Sequence, residues 1–249
     1  MADSKIRAII SDFGGVLTTP LLTSFMSLQD EIGVSPEHFG TALRALTAER
    51  GANPLYEMER GEISEDEFLA LLGDGLAPLL DHEPHLHRFR ELFIGTLEPN
   101  PPMIELMREL KASGLRMAML TNNVKEWEPH WRPMLPVDEI FETVVDSAFV
   151  GCRKPEARIY EITLERLGLP AEQCVFVDDL LPNIEGAREL GLTAVHFQDT
   201  EQAISEIRAA IGYDRCPPRA SGARRAGASC SARSGGRSRS GPRIPAGTV

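Results

Sequence analysis

The chain has 249 residues, 42% of them hydrophobic, which is enough for one large α/β domain or for a core with an inserted subdomain. Its formal charge of -11 averages two unlike parts, because eight of the 26 basic residues but only one of the 37 acidic residues follow Tyr213. The acidic body argues against broad binding to nucleic acids or anionic membranes, which depends on clustered Lys and Arg.

The first predicted element is a strand that ends in a carboxylate and two glycines. Residues 7–11 are mostly apolar, and Asp12, Phe13, Gly14 and Gly15 follow them directly. Such a run is typical of a buried strand in a parallel sheet, whose carboxyl end faces the ligand crevice. Asp12 is therefore a candidate nucleophile. The backbone amides of Phe13 and Gly14 are candidate donors to a bound anion, because Gly permits close approach.

The next region is predicted to be helical. Amphipathic patterns cover residues 25–32, 39–47, 65–72 and 86–93, without a convincing strand. A crossover between parallel strands needs only about a dozen residues. We therefore expect residues 19–98 to form a helical cap above the strand ends.

After the cap, helical and strand patterns alternate. Helices are predicted at 103–112, after 126, and at 156–167, 183–190 and 201–211, and strands at 116–120, 143–145, 174–177 and 193–196. Gly114, Gly168 and Gly191 follow helices, as left-handed closing residues do, and Pro155 suits a first helical turn. This alternation predicts an α/β fold, a doubly wound parallel (Rossmann-like) sheet. Residues 5–18 and 99–212 would form this core.

Polar side chains follow several of these strands and should converge at one edge of the sheet. They are Asp12, Thr121, Asn122, Lys154, Asp178 and Asp179. The carboxylates are hard oxygen ligands that suit Mg²⁺, whereas Thr, Asn and Lys side chains offer donors and a positive charge to a phosphoryl group. A carboxylate that attacks phosphorus forms an aspartyl-phosphate and divides one hard hydrolysis into two easier steps.

With these motifs the chain resembles the haloacid dehalogenase-like hydrolase superfamily over residues 6–211, and in particular members with a helical cap after the first strand. The segments 151–160 and 175–179 look like the phosphatase domain of soluble epoxide hydrolases. The resemblance implies that Asp12 is the nucleophile, and that Thr121, Asn122 and Lys154 hold the phosphate. It also implies a Mg²⁺ site made by Asp12, Asp179, the Gly14 carbonyl and, close behind them, Asp178.

Gly14 departs from the family pattern. Most phosphatases of this family have a second aspartate at that position, as general acid and then base. Its loss removes a proton-transfer contribution of about 10²–10⁴ and should affect alkoxide leaving groups most. A good leaving group, or a proton from the cap or from metal-bound water, would compensate.

Three functions follow as alternatives. We favour a Mg²⁺-dependent phosphatase of a small phosphorylated metabolite. The second is a phosphate-binding or regulatory protein with little turnover. The third is a haloacid dehalogenase, disfavoured because Mg²⁺-independent dehalogenases of the superfamily lack the paired acids that Asp178 and Asp179 provide.

The remaining expectations concern the cell and the carboxyl terminus. The four cysteines include no Cys-x-x-Cys pair, and no apolar stretch approaches the ~20 residues that span a bilayer. We expect reduced thiols, a cytoplasmic protein, and neither nucleic-acid nor membrane partners. Residues 213–249 are rich in Arg, Ser, Gly, Ala and Pro and are predicted to be a disordered tail.

Overall fold

The computed structural model describes residues 5–20, 26 and 29–212. Its sheet has five parallel strands in the order β3-β2-β1-β4-β5. The strands are β1 (Ala8–Ser11), β2 (Arg116–Thr121), β3 (Thr143–Asp146), β4 (Cys174–Asp178) and β5 (Thr193–His196). Because the order reverses at β1, the crevice of a doubly wound sheet opens beside the carboxyl end of this strand. The predicted fold class is confirmed.

The helices fall into two groups along the chain. The first group lies between β1 and β2 and consists of α1 (Gln29–Ile32), α2 (Pro36–Arg50), α3 (Pro54–Glu59), α4 (Glu65–Leu76) and α5 (Phe89–Gly95). The second group comprises α6 (Pro101–Ala112), α7 (Glu128–Trp131), α8 (Val137–Ile140), α9 (Ser147–Val150), α10 (Ala157–Leu167), α11 (Leu181–Glu189) and α12 (Thr200–Ile211). No helix within the described ranges is long and apolar enough to cross a bilayer.

The sheet is buried on both faces, which explains its nearly continuous apolar strands. Along β1, Ile9 packs into one apolar cluster and Ile10 into the other. The Ile9 cluster includes residues of α6, α12 and the helices between β1 and β2, whereas the Ile10 cluster includes residues of α10 and α11. Two layers of helices therefore hold the strand ends in place.

The chain leaves and re-enters the sheet region at one place. Thr18 and Pro99 form an isolated antiparallel bridge, and the Asn100 amide donates to the Leu17 carbonyl at 2.8 Å. Residues 29–95 are helical or irregular, as expected of an inserted cap. The division into core and cap at residues 18 and 99 stays a prediction.

Local signals account for most helix ends. Ser64 and Glu67 form a capping box at the start of α4, and Ser35 caps α2. The expectation for Pro155 was wrong: α10 begins at Ala157 with Glu156 as N-cap, and Pro155 precedes this cap after a cis peptide bond. Helix α3 was not predicted. Residues 25, 27 and 28 of the helix expected over 25–32, and the tail from 213, lie outside the described residues.

Candidate active site

A buried lysine joins the first and last motifs at the carboxyl edge of the sheet. Lys154 Nζ lies 2.8 Å from Asp12 Oδ1 and 2.6 Å from Asp178 Oδ2, and it donates to the Leu120 carbonyl at 3.0 Å. The Lys154 side chain is only 1% exposed. Asp12 follows β1 and Asp178 ends β4, so the parallel pairing of these strands sets the separation of the carboxylates. The structure thus brings together three of the predicted site residues.

Two predicted phosphate-binding groups contact Lys154 and Asp12. The Asn122 side chain accepts from the Lys154 amide at 2.8 Å and donates to the Lys154 carbonyl at 3.0 Å. The Phe13 amide donates to Asp12 Oδ1 at 2.7 Å. The Asn122 side chain therefore positions Lys154 and the Phe13 amide contacts Asp12, and that Asn122 and Phe13 bind phosphate stays a prediction. That Thr121, 2% exposed at the end of β2, binds phosphate stays a prediction.

The two acids at the end of β4 differ in burial and in their contacts. Asp178 is fully buried, and its Oδ1 accepts from the Leu180 amide at 2.8 Å and from Asn183 Nδ2 at 2.9 Å. Asp179 is half-buried and lines the cavity described below. One carboxylate oxygen each from Asp12, Asp178 and Asp179 lie within 4.8 Å of one another. This is a spacing at which three oxygens can share one ion.

The charges of the site are unbalanced without a cation, because three carboxylates face one buried ammonium. Burial, followed by Asp178, raises the pKa of Asp179 to about 6. Burial and the two neighbouring carboxylates also raise the pKa of Asp12 well above its usual value, against the opposing effect of Lys154. A divalent cation would favour the charged form of all three acids. The donor set therefore fits Mg²⁺ in both oxygen chemistry and charge.

Gly15 provides the space in which Asp179 sits. Its φ is +80°, and a Cβ at this position would lie 2.2 Å from Asp179 Oδ2. Glycine is needed for the left-handed backbone and for the close approach of the carboxylate. In the sequence Gly15 is one of two glycines after the first strand, and the pattern does not indicate this contact with Asp179.

The site opens into a cavity of about 410 Å³. Asp12, Gly14, Thr121, Lys154 and Asp179 line its polar end. Most of the remaining wall is apolar, and residues from the helices between β1 and β2 form much of it: Phe39, Leu55, Met58, Phe68, Phe89 and Phe93. The volume and lining are those of a small-molecule site with a few polar groups at one end.

Trp127 and Glu65 connect the two sides of the cavity. Trp127 follows the second motif and packs against the rings of Phe89 and Phe93 with centroid distances of 6.0 and 5.3 Å. Its indole Nε1 donates to Glu65 Oε1 at 2.9 Å, and Arg90 pairs with Glu65 Oε2 at 2.7 Å. Glu65 is buried yet fully partnered, which explains how a carboxylate is tolerated there.

Comparison with known proteins places the chain in a family. The model of the haloacid dehalogenase-like hydrolases matches residues 6–191. A sesquiterpene phosphatase of Aspergillus oryzae, astK, is 30% identical over 84% of this chain and 98% of that protein. Bifunctional epoxide hydrolase 2 of Rattus norvegicus is 24% identical over 83% of this chain, which spans only 39% of that protein.

A solved structure has the same fold. It is a haloacid dehalogenase family enzyme of Bacteroides thetaiotaomicron in complex with magnesium and inorganic phosphate. The structural match covers 77% of this chain and 93% of that enzyme's chain. The TM-score is 0.56 at 20% sequence identity. The motifs, the sheet order and the family match agree with one another. The chain belongs to the haloacid dehalogenase-like hydrolases and is a hydrolase.

Proposed function

We propose that this protein is a Mg²⁺-dependent phosphatase that hydrolyses the monophosphate ester of an apolar alcohol through an aspartyl-phosphate at Asp12. The observation that carries the proposal is the contact of Lys154 with both Asp12 and Asp178 at the polar end of an otherwise apolar cavity. The ammonium and a Mg²⁺ ion together would offset the charge of a phosphate, which three carboxylates alone would repel.

The residues have distinct parts in this reaction. Asp12, oriented by the Phe13 amide, attacks phosphorus. Lys154, fixed by Asn122, orients Asp12 and neutralises charge on the phosphoryl oxygens. Asp12, Asp178, Asp179 and the Gly14 carbonyl would hold Mg²⁺, which supplies charge neutralisation. Water then cleaves the aspartyl-phosphate and restores Asp12.

The cavity wall supports a narrower substrate class than a small phosphorylated metabolite. Its aromatic and aliphatic residues offer few partners for the hydroxyl groups of a sugar phosphate, whose burial without hydrogen bonds is unfavourable. An isoprenoid or alkyl chain would instead gain about 0.8 kcal/mol for each buried methylene group. The Aspergillus oryzae relative is named a sesquiterpene phosphatase, which points to the same class.

Two alkyl phosphates with equal leaving groups test this class. Four additional buried methylene groups correspond to about 3 kcal/mol, so octyl phosphate should exceed butyl phosphate in kcat/KM on the order of 10²-fold. Phe93→Ser, in the cavity wall, should reduce this ratio, whereas Phe149→Ser, on the 56% exposed Phe149 outside the wall, should not. A ratio near one in the active wild type would refute the apolar substrate.

The chemistry itself is tested with an activated ester. Wild-type protein should hydrolyse p-nitrophenyl phosphate with Mg²⁺ and lose this activity in chelator, and Asp12→Asn should be inactive while keeping its fold. Tight phosphate binding without hydrolysis of any ester would favour the regulatory alternative. Release of halide from a 2-haloacid without Mg²⁺ would favour the dehalogenase.

A further inference from the structure

One acid in the cavity belongs to none of the motifs. Among the described residues that line the cavity, the acidic side chains are Asp12, Asp179 and Glu59. Asp12 and Asp179 already have parts in the proposed reaction. Glu59 is the last residue of α3, which lies between β1 and β2, so it reaches the cavity from outside the sheet edge. Among the described lining residues, it is therefore the carboxylate left to transfer a proton.

Glu59 is held by a neighbour of Lys154. Its Oε2 accepts from Arg153 Nε at 2.5 Å, and the two side chains are 18% and 13% exposed. The Arg153 guanidinium in turn lies 3.8 Å from the centroid of the Tyr56 ring. Because Arg153 is the only recorded donor to Glu59 in the described part of the chain, Oε1 stays available to a ligand in the cavity.

The position of Glu59 suits the leaving group. Phosphoryl transfer proceeds with the attacking and leaving oxygens roughly in line, so the leaving oxygen lies on the side of phosphorus opposite Asp12. Asp12 lies at the sheet edge, so the leaving oxygen faces away from this edge, and Leu55, Met58 and Glu59 of α3 are among the residues that line the cavity. Gly14, which also lines the cavity, has no side chain with which to protonate it.

The surroundings of Glu59 allow it to keep a proton. Burial raises the pKa of Glu59 above its usual value, and Arg153, Lys154 and Arg60 oppose this shift. A raised pKa brings a carboxylic acid closer to the range in which it can donate a proton and take it back in each turnover.

We propose that Glu59 is the general acid and base of the reaction, in place of the side chain that Gly14 lacks; this inference rests on the proposed phosphatase function. In the first step Asp12 forms a bond to phosphorus, the ester P–O bond breaks, and the leaving oxygen takes the proton of Glu59. In the second step water attacks phosphorus and gives a proton to Glu59, and the Asp12–phosphorus bond breaks. Inorganic phosphate leaves and both carboxyl groups regain their initial states.

If Glu59 had a purely structural role, its replacement would have a different effect on the rates. Glu59 pairs with Arg153, and the next residue, Arg60, pairs with Glu156, so two ion pairs tie α3 to the segment before α10. Weakening this tie would slow all substrates alike. Loss of a proton donor would instead slow esters of alcohols, whose alkoxides leave poorly, and spare p-nitrophenyl phosphate, whose leaving group needs no proton.

The test compares Glu59→Gln with Glu57→Gln, a control on the same helix whose residue pairs with Arg50 at 3.0 Å. With Mg²⁺, Glu59→Gln should lower kcat for octyl phosphate by about 10²–10⁴-fold and change kcat for p-nitrophenyl phosphate little. Glu57→Gln should leave both rates unchanged. Adding Gly14→Asp to Glu59→Gln should restore octyl phosphate hydrolysis. Equal losses for both esters, or no loss, would overturn the assignment of Glu59.

A pH profile of the wild type gives a test that needs no variant. The rate with octyl phosphate should fall as pH rises through the pKa of Glu59, because the protonated acid disappears, and p-nitrophenyl phosphate should lack this fall. Identical profiles for the two esters would overturn the proposal. If the wild type hydrolyses neither ester, the phosphatase function itself fails, whereas an active enzyme that ignores Glu59→Gln refutes Glu59 alone.

Discussion

Replacing Lys154 tests the charge balance on which the site depends. Lys154→Met keeps a side chain of similar length but removes the ammonium that contacts Asp12 Oδ1 and Asp178 Oδ2 at 2.8 and 2.6 Å. Asp178 is fully buried and Asp12 is only 7% exposed, so water can replace little of the lost contact. Lys125→Met is the matched control, because Lys125 is exposed and lies outside the cavity wall.

The expected loss is large compared with the stability of a domain. Removing one partner of a buried ion pair costs about 3–5 kcal/mol, whereas folded proteins are stable by about 5–15 kcal/mol. The loss of stability in Lys154→Met should become larger as pH rises. Burial already holds the folded-state pKa values of Asp12 and Asp179 above their unfolded ones, and loss of the ammonium raises them further, so stability is lost as pH rises from the unfolded toward the folded value. Lys125→Met should change stability by at most about 0.5 kcal/mol.

Urea denaturation in chelator, at pH 5 and pH 8, measures both effects. Lys154→Met should unfold at a lower urea concentration than wild type, with the larger difference at pH 8, and should be inactive with Mg²⁺. A loss of stability below about 1 kcal/mol at both pH values, comparable to that of Lys125→Met, would refute the reasoning, since a buried charge left unpaired should destabilise the protein by more than this.

Three further expectations concern glycine geometry, a second buried acid and the tail. Gly15→Ala should abolish Mg²⁺-dependent activity, because its Cβ would meet Asp179 Oδ2, whereas Gly51→Ala, at φ +76° with nothing within 4 Å, should cost about 1–2 kcal/mol of stability and leave activity intact. Burial raises the pKa of Asp146 to about 7, so its ionised form destabilises the folded protein as pH rises above 4. In thermal or urea unfolding, Asp146→Asn should therefore be increasingly more stable than wild type from pH 4 to pH 7, and by up to about 4 kcal/mol above pH 7. A difference in stability that does not depend on pH would contradict this. Deleting residues 214–249 should change neither the unfolding midpoint nor kcat, and loss of either would show that the tail contributes.

The sequence was sufficient for the sheet and for the motif positions. Strands bounded by glycine and alternating with helices permit few topologies, and parallel strands must bring their carboxyl ends to one edge. Asp12, Lys154 and Asp178 could therefore be predicted to meet, although 24 residues separate the last two and 142 the first two. The predicted strand at 193–196 has the bounds of β5, and the others end within one residue of the observed strands.

The sequence was insufficient where a tertiary contact decides the role of a side chain. Helix α3 has six residues, too few for an apolar period, and only Asn53 followed by Pro54 signalled its start. The role proposed for Glu59 depends on its contact with Arg153, 94 residues away along the chain. The contact of the Asn122 side chain with the Lys154 main chain likewise joins residues 32 apart, and the expected binding of phosphate by Asn122 stays a prediction.

Chemical trapping of the intermediate tests the central claim most directly. Wild-type protein is mixed with Mg²⁺ and p-nitrophenyl phosphate, quenched during turnover, and treated with borohydride, which reduces an aspartyl-phosphate to homoserine. Peptide mass spectrometry should find homoserine at position 12, dependent on substrate and Mg²⁺, and none in Asp12→Asn. Trapping at another residue, or turnover with no trapped product at Asp12, would contradict the assignment of Asp12 as the nucleophile.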